Sequence, residues 1–188
     1  MKKIGITGSI ASGKTTASKF LSLKRGPLFS ADKVVKNLYL NTKFKKKIIK
    51  KFNIQKGLSF KNALKEKIFQ NSKNIKKLEK VIHPLVRKEM KKFAASNKNK
   101  KNVFFEIPLL IESKLMSFFD IIILIKAKKS IRLKRFKLKG GKKSLFDILN
   151  NKKMSDKKKS KFCDYVIVND RNFNILKKNL LGILNKYV

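Results

Sequence analysis

The chain has 188 residues, 42% of them hydrophobic, which suits one domain with its own core and removes any need for disulfide staples. Fifty basic residues against 11 acidic ones leave a net charge of +39, a value that by itself suggests a polyanionic partner. Only five of the fifty are arginines, the side chain that reads bases through a bidentate fork, so the lysine excess is read as a solvated surface shaped by composition and no specific nucleic acid is expected.

At the start, MKK followed by IGITGSIA imitates a secretory signal, but the apolar run is short and broken by Gly5 and Gly8. Residues 2–7 are read instead as a strand and 15–23 as a helix with Ala17, Phe20 and Leu21 inward. Gly26 and Pro27 break the chain before a short second strand at 28–31. From 33 to about 97 the pattern is helical with short breaks, and Pro84, which has no N–H, should end or kink the last stretch. Segments 102–107 and 120–125 are strands, the second apolar enough to be buried on both faces of a parallel sheet. Helix 130–139, the flexible break GGKKS at 140–144, a weak basic helical stretch at 145–161, strand 164–168 and helix 172–187 follow. This alternation predicts an α/β fold of the P-loop NTPase type: a parallel five-stranded sheet flanked by helices, with a helical insertion and a mobile segment before the last strand. The longest aliphatic run, 121–125, is far shorter than the ~20 residues of a membrane span, and the single Cys163 cannot pair within the chain. A soluble, cytoplasmic monomer with no membrane partner is expected.

Gly8-Ser-Ile-Ala-Ser-Gly13-Lys14-Thr15 satisfies G-x-x-x-x-G-K-[ST] in full, after a strand and at the start of a helix. Its glycines let backbone N–H groups curl around phosphates, Lys14 reaches the β and γ oxygens, and the Thr15 hydroxyl suits Mg²⁺. ATP or GTP is therefore expected as ligand. Asp32, the first acid of the chain, follows the second strand, where it could accept a hydroxyl proton or order the metal shell; a helix N-cap is an equally good reading. Glu106 ends an apolar strand, the place of a metal-binding acid, whereas Glu112 reads at least as well as a solvated helix residue. His83 and Arg87, four apart, share a helix face and could meet an acceptor bearing phosphate. Arg132, Arg135 and Lys139 also share a face, either as solvated charge or as a lid that brings cations onto a transferring phosphoryl.

Taken together, IGITGSIASGKTT, SADKVVKNLY, ALKEKIF, HPLVRKEM, EIPLLIE, FDIIILI, RLKRFKLKGG and DYVIVND resemble the dephospho-CoA kinase family over essentially the whole length. The resemblance implies phosphorylation of the ribose 3′-hydroxyl of dephospho-CoA by ATP with Mg²⁺. It implies one kinase domain with a core of 1–32, 98–135 and 162–188, an acceptor-binding insertion at 33–97 and a lid at 136–161. It further implies that Asp32 is the general base and that Ala11, Ser12, Gly13, Lys14, Thr15 and Thr16 hold the ATP phosphates, while the motif adds Gly8 to that cradle and sets Thr15 and Glu106 as the expected metal ligands. His83 and Arg87 would face the acceptor, and Arg135 and Lys139 would stand where the family's lid carries two arginines. Ser30 departs from the family's first acid in D-A-D, Lys139 lacks the arginine fork, and Lys152 stands near a position usually occupied by Gln. Two other functions remain open at this point. One is a P-loop kinase for another small acceptor such as a nucleoside monophosphate, and the other, favoured by charge alone, is a nucleic-acid-binding NTPase.

Overall fold

The computed structural model describes residues 1–54, 59–71, 73–151 and 153–187, so the departure at Lys152 lies outside the described residues. The elements run β1 (Lys2–Thr7), α1 (Lys14–Ser22), β2 (Leu28–Ser30), α2 (Ala31–Leu40), α3 (Thr42–Phe52), α4 (Phe60–Gln70), α5 (Lys73–Ser96), β3 (Asn102–Glu106), β4 (Ile121–Lys126), α6 (Lys129–Leu138), α7 (Lys143–Asn151), α8 (Asp156–Lys159), β5 (Tyr165–Val168) and α9 (Phe173–Tyr187). Short 3-10 turns stand at Met116–Phe118 and Ser160–Phe162. The chain divides into two units, one comprising Met1–Ser30 with Phe93–Val188 and the other Ala31–Lys92.

The first unit holds a five-stranded sheet in the order β2-β3-β1-β4-β5, every pair parallel, as the alternating pattern predicts. Strand periodicity divides its core into two layers, because successive side chains leave opposite faces. On one face Ile4, Ile6, Phe104, Ile121, Ile123, Ile125 and Ile167 pack with Ala17 and Leu21 of α1 and with Leu176, Leu180, Ile183 and Leu184 of α9. On the other, Phe105 meets Phe29, Phe93, Phe118 and Phe119 with ring centroids 5.5–5.9 Å apart. Each such fully buried side chain contributes about 1.5–3 kcal/mol, which explains how so basic a chain still closes a core. Strands β3 and β4 are apolar in unbroken runs because both of their faces are covered. Edge strand β5 differs, with Val166 and Val168 exposed.

Parallel pairing sends all five carboxyl ends to one edge, and the β1–α1 connection that carries the P-loop leaves from there. The GGKKS segment is more compact than the expected flexible break. Gly140 takes φ +80°, its N–H bonds to the Lys137 carbonyl and that of Gly141 to Phe136, so a glycine cap stops α6 and α7 begins at Lys143.

In the second unit, α2, α3 and α4 bury Ala31, Phe44, Ile48, Phe52, Ala63 and Leu64, with Tyr39 edge-on to Phe60 and tilted against Phe44. The Asn41 side chain caps α3 by accepting from Phe44 N at 2.9 Å. Helix α5 does not end at Pro84 but continues through it to Ser96. Pro84 and Lys80, whose carbonyl loses its partner four residues on, are both exposed, so water can serve that oxygen. Leu78, Val81, Ile82 and Val86 are meanwhile buried, which holds the helix on both sides of the proline.

Candidate active site

The P-loop folds as its glycines demand. Gly8 has φ +151°, and a Cβ built on it would lie 2.1 Å from the Ile125 carbonyl oxygen. Gly13, at φ +97°, is the N-cap of α1, and a Cβ there would lie 2.2 Å from Asn169 Nδ2. Ala11 adopts φ +56° between them. This turn leaves the first N–H groups of α1 without acceptors inside the helix and aims the positive end of its dipole at whatever the loop surrounds. Lys14 is buried at 9% exposure and donates through Nζ to the Ser9 carbonyl at 3.1 Å.

Glu106 is 3% exposed at the end of β3, and its register with Ile6 sets it beside the P-loop strand. There its Oε1 accepts from Thr15 Oγ1 at 2.5 Å. A hydroxyl oxygen and a carboxylate oxygen thus stand together at the mouth of the loop, a hard-donor pair that suits Mg²⁺, which keeps several waters and takes few protein ligands. The hydroxyl of Ser12, fully buried in the same loop, has no hydrogen-bond partner among the described residues.

A cavity of about 240 Å³ gathers Ala11, Gly13 and Thr16 of the P-loop with Arg135 and Lys139 from α6 and its end, and with Asn169, Arg171 and Phe173 after β5. Five of the predicted nucleotide-binding residues therefore meet around one space. A larger open groove of about 490 Å³ along α6 is lined by Ser130, Leu133, Lys134, Lys137 and Leu138. Of the two, the smaller cavity adjoins the P-loop.

Arginines on the same helix face fare differently. Arg135 is half-buried and donates to the Asn169 carbonyl at 2.9 Å. Arg132 is 7% exposed, with Nε on the Ala127 carbonyl at 3.0 Å and Nη1 on Asn150 Oδ1 at 2.9 Å. Burial lowers its pKa and the charge of Asp156 works against that shift. Arg132 is therefore not a solvated charge; it ties α6 to α7. Glu112 is likewise no solvated helix residue. It lies in a turn after β3 and pairs with the fully buried Lys159 at 2.9 Å. Cys163, half-buried, has a thiol pushed up to about 11, first by burial and then by the charges of Asp164 and Asp156, so it is unreactive near neutrality.

Sequence reasoning missed Asn169. It is buried, and its Nδ2 donates to the Ser12 carbonyl at 2.8 Å across 157 residues, clasping the P-loop from the end of β5. The one signal was a polar pair, Asn169-Asp170, closing an apolar strand at the carboxyl edge.

Within the helical unit, Asp32 is the second residue of α2, in its first turn rather than at the cap, and is exposed. On α5, His83 is half-buried and Arg87, one turn later, is exposed. Ser30, where the resemblance expects an acid, ends β2 half-buried in register with Glu106.

With this geometry in view, comparison with known proteins is decisive. The family described as dephospho-CoA kinase matches residues 2–174. The chain belongs to the dephospho-CoA kinase family. A Bartonella henselae dephospho-CoA kinase is 32% identical over 189 residues, spanning 98% of this chain and 97% of its own. Among solved structures, TT1252 from Thermus thermophilus superposes with a TM-score of 0.83 at 25% identity over 100% of this chain and 98% of its own. A dephospho-CoA kinase from Campylobacter jejuni gives a TM-score of 0.70 at 26% identity over 99% and 97%. As a member of the dephospho-CoA kinase family the chain is a kinase, a transferase with a nucleotide-binding P-loop.

Proposed function

We propose that this kinase transfers the γ-phosphoryl group of ATP to the ribose 3′-hydroxyl of dephospho-CoA, giving coenzyme A and ADP. The observation that carries the reading is a complete P-loop in a chain whose likeness to dephospho-CoA kinases extends over residues 2–174. Neither alternative, a nucleoside monophosphate kinase or a nucleic-acid-binding NTPase, has an observation of that kind behind it.

Each residue then takes a role that its setting supports. Gly8, Ala11, Ser12, Gly13 and Thr16 cradle the phosphates, and the nucleoside end of ATP occupies the cavity bounded by Arg135, Lys139 and Asn169. Lys14 leaves the Ser9 carbonyl for the phosphate oxygens, an exchange of one acceptor for a charged one that favours the bound state. Thr15 and Glu106 would hold Mg²⁺, which when bound neutralises charge on the β and γ oxygens. Glu106, buried and fixed by Thr15, supplies that site with a carboxylate already in place. Asp32, exposed in the first turn of α2, takes the proton of the attacking 3′-hydroxyl. His83 and Arg87 engage phosphate groups of the acceptor from one face of α5. Arg135 and Lys139 bind the nucleotide from the rim of that cavity, with Lys139 acting as a point charge where an arginine would give two bonds. The segment 136–161 serves as lid and 33–97 as acceptor-binding region. The lysine surface has no nucleic-acid role in this reading, and the protein acts as a cytoplasmic monomer.

A coupled ADP-release assay with ATP, Mg²⁺ and dephospho-CoA, beside AMP, shikimate and RNA, tests the proposal on wild type and Asp32→Asn. Turnover should require dephospho-CoA and fall about 10²–10⁴-fold in the variant. Turnover driven by RNA or AMP, or unchanged in the variant, would overturn it.

A further inference from the structure

Helix α8 (Asp156–Lys159) lies in the last part of the segment read as lid, yet both of its ends are fastened to the sheet unit. At its start Asp156 Oδ1 accepts the Ser9 hydroxyl at 2.5 Å, across 147 residues. At its end Lys159, wholly buried, donates to the Pro108 carbonyl at 3.3 Å and pairs with Glu112 at 2.9 Å. Ser9 is also the residue whose carbonyl holds Lys14 Nζ. Asp156, Ser9 and Lys14 therefore form a chain that leads from α8 into the P-loop.

The physical case rests on what the loop needs. Its backbone passes through φ +151° and +97° at Gly8 and Gly13, which glycine adopts readily, and through +56° at Ala11, a left-handed turn that a residue with a Cβ keeps only where its surroundings over-determine it. Asn169 holds the far side through the Ser12 carbonyl. On the near side Ser9 is 6% exposed, so its hydroxyl would not recover a partner from water if the carboxylate were lost. The bond is charge-assisted and therefore among the stronger kind. Lys159 anchors the opposite end of the same single turn, three residues from Asp156, which fixes the carboxylate in direction as well as in distance.

We propose that Asp156 is a positioning residue for the phosphate cradle, acting through Ser9 to set the peptide on which the Lys14 ammonium rests. This deepens the functional reading and rests on the part of it that gives the P-loop to ATP.

The test is calorimetric binding of Mg-ADP to wild type, Ser9→Ala, Asp156→Ala, the double variant and Asp156→Asn, with melting curves and KM for each substrate. Each alanine variant should weaken ADP binding about tenfold, the loss of a hydrogen bond to a charged group. The double variant should be no more than about twofold weaker than either single one, because both remove the same link. Asp156→Asn, which keeps an acceptor oxygen, should recover most of the affinity, and KM should rise for ATP while that for dephospho-CoA stays put. ADP affinities at the wild-type value, or losses that multiply in the double variant, would overturn the proposal. Should Asp156→Ala fail to fold, Ser9→Ala decides alone: a wild-type melting curve with unchanged ADP affinity sinks the idea. Wild-type protein that binds ADP without phosphorylating dephospho-CoA would remove the acceptor assignment and leave this test intact.

Discussion

The sheet unit (Met1–Ser30 with Phe93–Val188) and the helical unit (Ala31–Lys92) hold their candidate residues in different ways. In the sheet unit three of them are held in contacts with the unit's own groups: Lys14 rests on Ser9, Thr15 on Glu106, and Arg135 on the Asn169 carbonyl. In the helical unit Asp32 and Arg87 are exposed and His83 is half-buried, all three carried on helix surfaces. The contrast matches what each region binds in the proposed function. A nucleotide triphosphate is compact and highly charged, and a cradle that reorganised on binding would waste the favourable electrostatics, so its donors are preorganised by the sheet. An acceptor as long as a pantetheine nucleotide is gripped by side chains that can adjust.

The sharpest way to break this division is Lys14→Met. Turnover should fall by about 10³-fold or more, since the main cation on the transferring group is gone, while calorimetric binding of dephospho-CoA should be unchanged. A variant retaining a tenth of wild-type turnover would remove Lys14 from the centre of the mechanism. Next in size, Gly13→Ala would force a Cβ to 2.2 Å from Asn169 Nδ2 at φ +97°. It should cost about 2 kcal/mol in thermal unfolding and raise KM for ATP. Gly182→Ala in α9 is the control, because a Cβ there meets nothing within 4 Å, and it should stabilise the protein by about 0.5–1 kcal/mol. If both glycines respond alike, the P-loop is not the constrained element described here. The smallest effects are the most specific. Arg87→Ala should raise KM for dephospho-CoA about tenfold and leave that for ATP unchanged, and Arg135→Ala should do the reverse. Crossed effects would erase the separation between a nucleotide side and an acceptor side.

Much of the arrangement is legible in the chain itself where the signal is local. The P-loop occupies consecutive residues after a strand, so motif and context are read together, and β1 and α1 fall within a residue of where the pattern sets them. Glu106 stands out because an acid inside so apolar a strand must have a partner, and Thr15 is that partner. Pro84 shows the limit of a local rule. Its cost depends on whether the orphaned carbonyl meets water, and exposure is a tertiary property.

Composition, periodicity and one local motif determined the class of the protein: an α/β core, a phosphate cradle after its first strand, and a scarcity of acids that made Asp32 and Glu106 conspicuous. Tertiary structure alone decided which of many similar residues matter. Arg132 and Arg135 share a helix face by spacing, yet one is buried against Asn150 and the other lines the cavity beside the P-loop, because the neighbours that separate them come from α7 and from the end of β5. Lys159 is one lysine in a crowd of lysines until Glu112 and Pro108 enclose it. Asp156 and Asn169 grip the P-loop across 147 and 157 residues, and no local pattern encodes a hydrogen bond that exists only after a parallel sheet has brought its carboxyl ends to one edge.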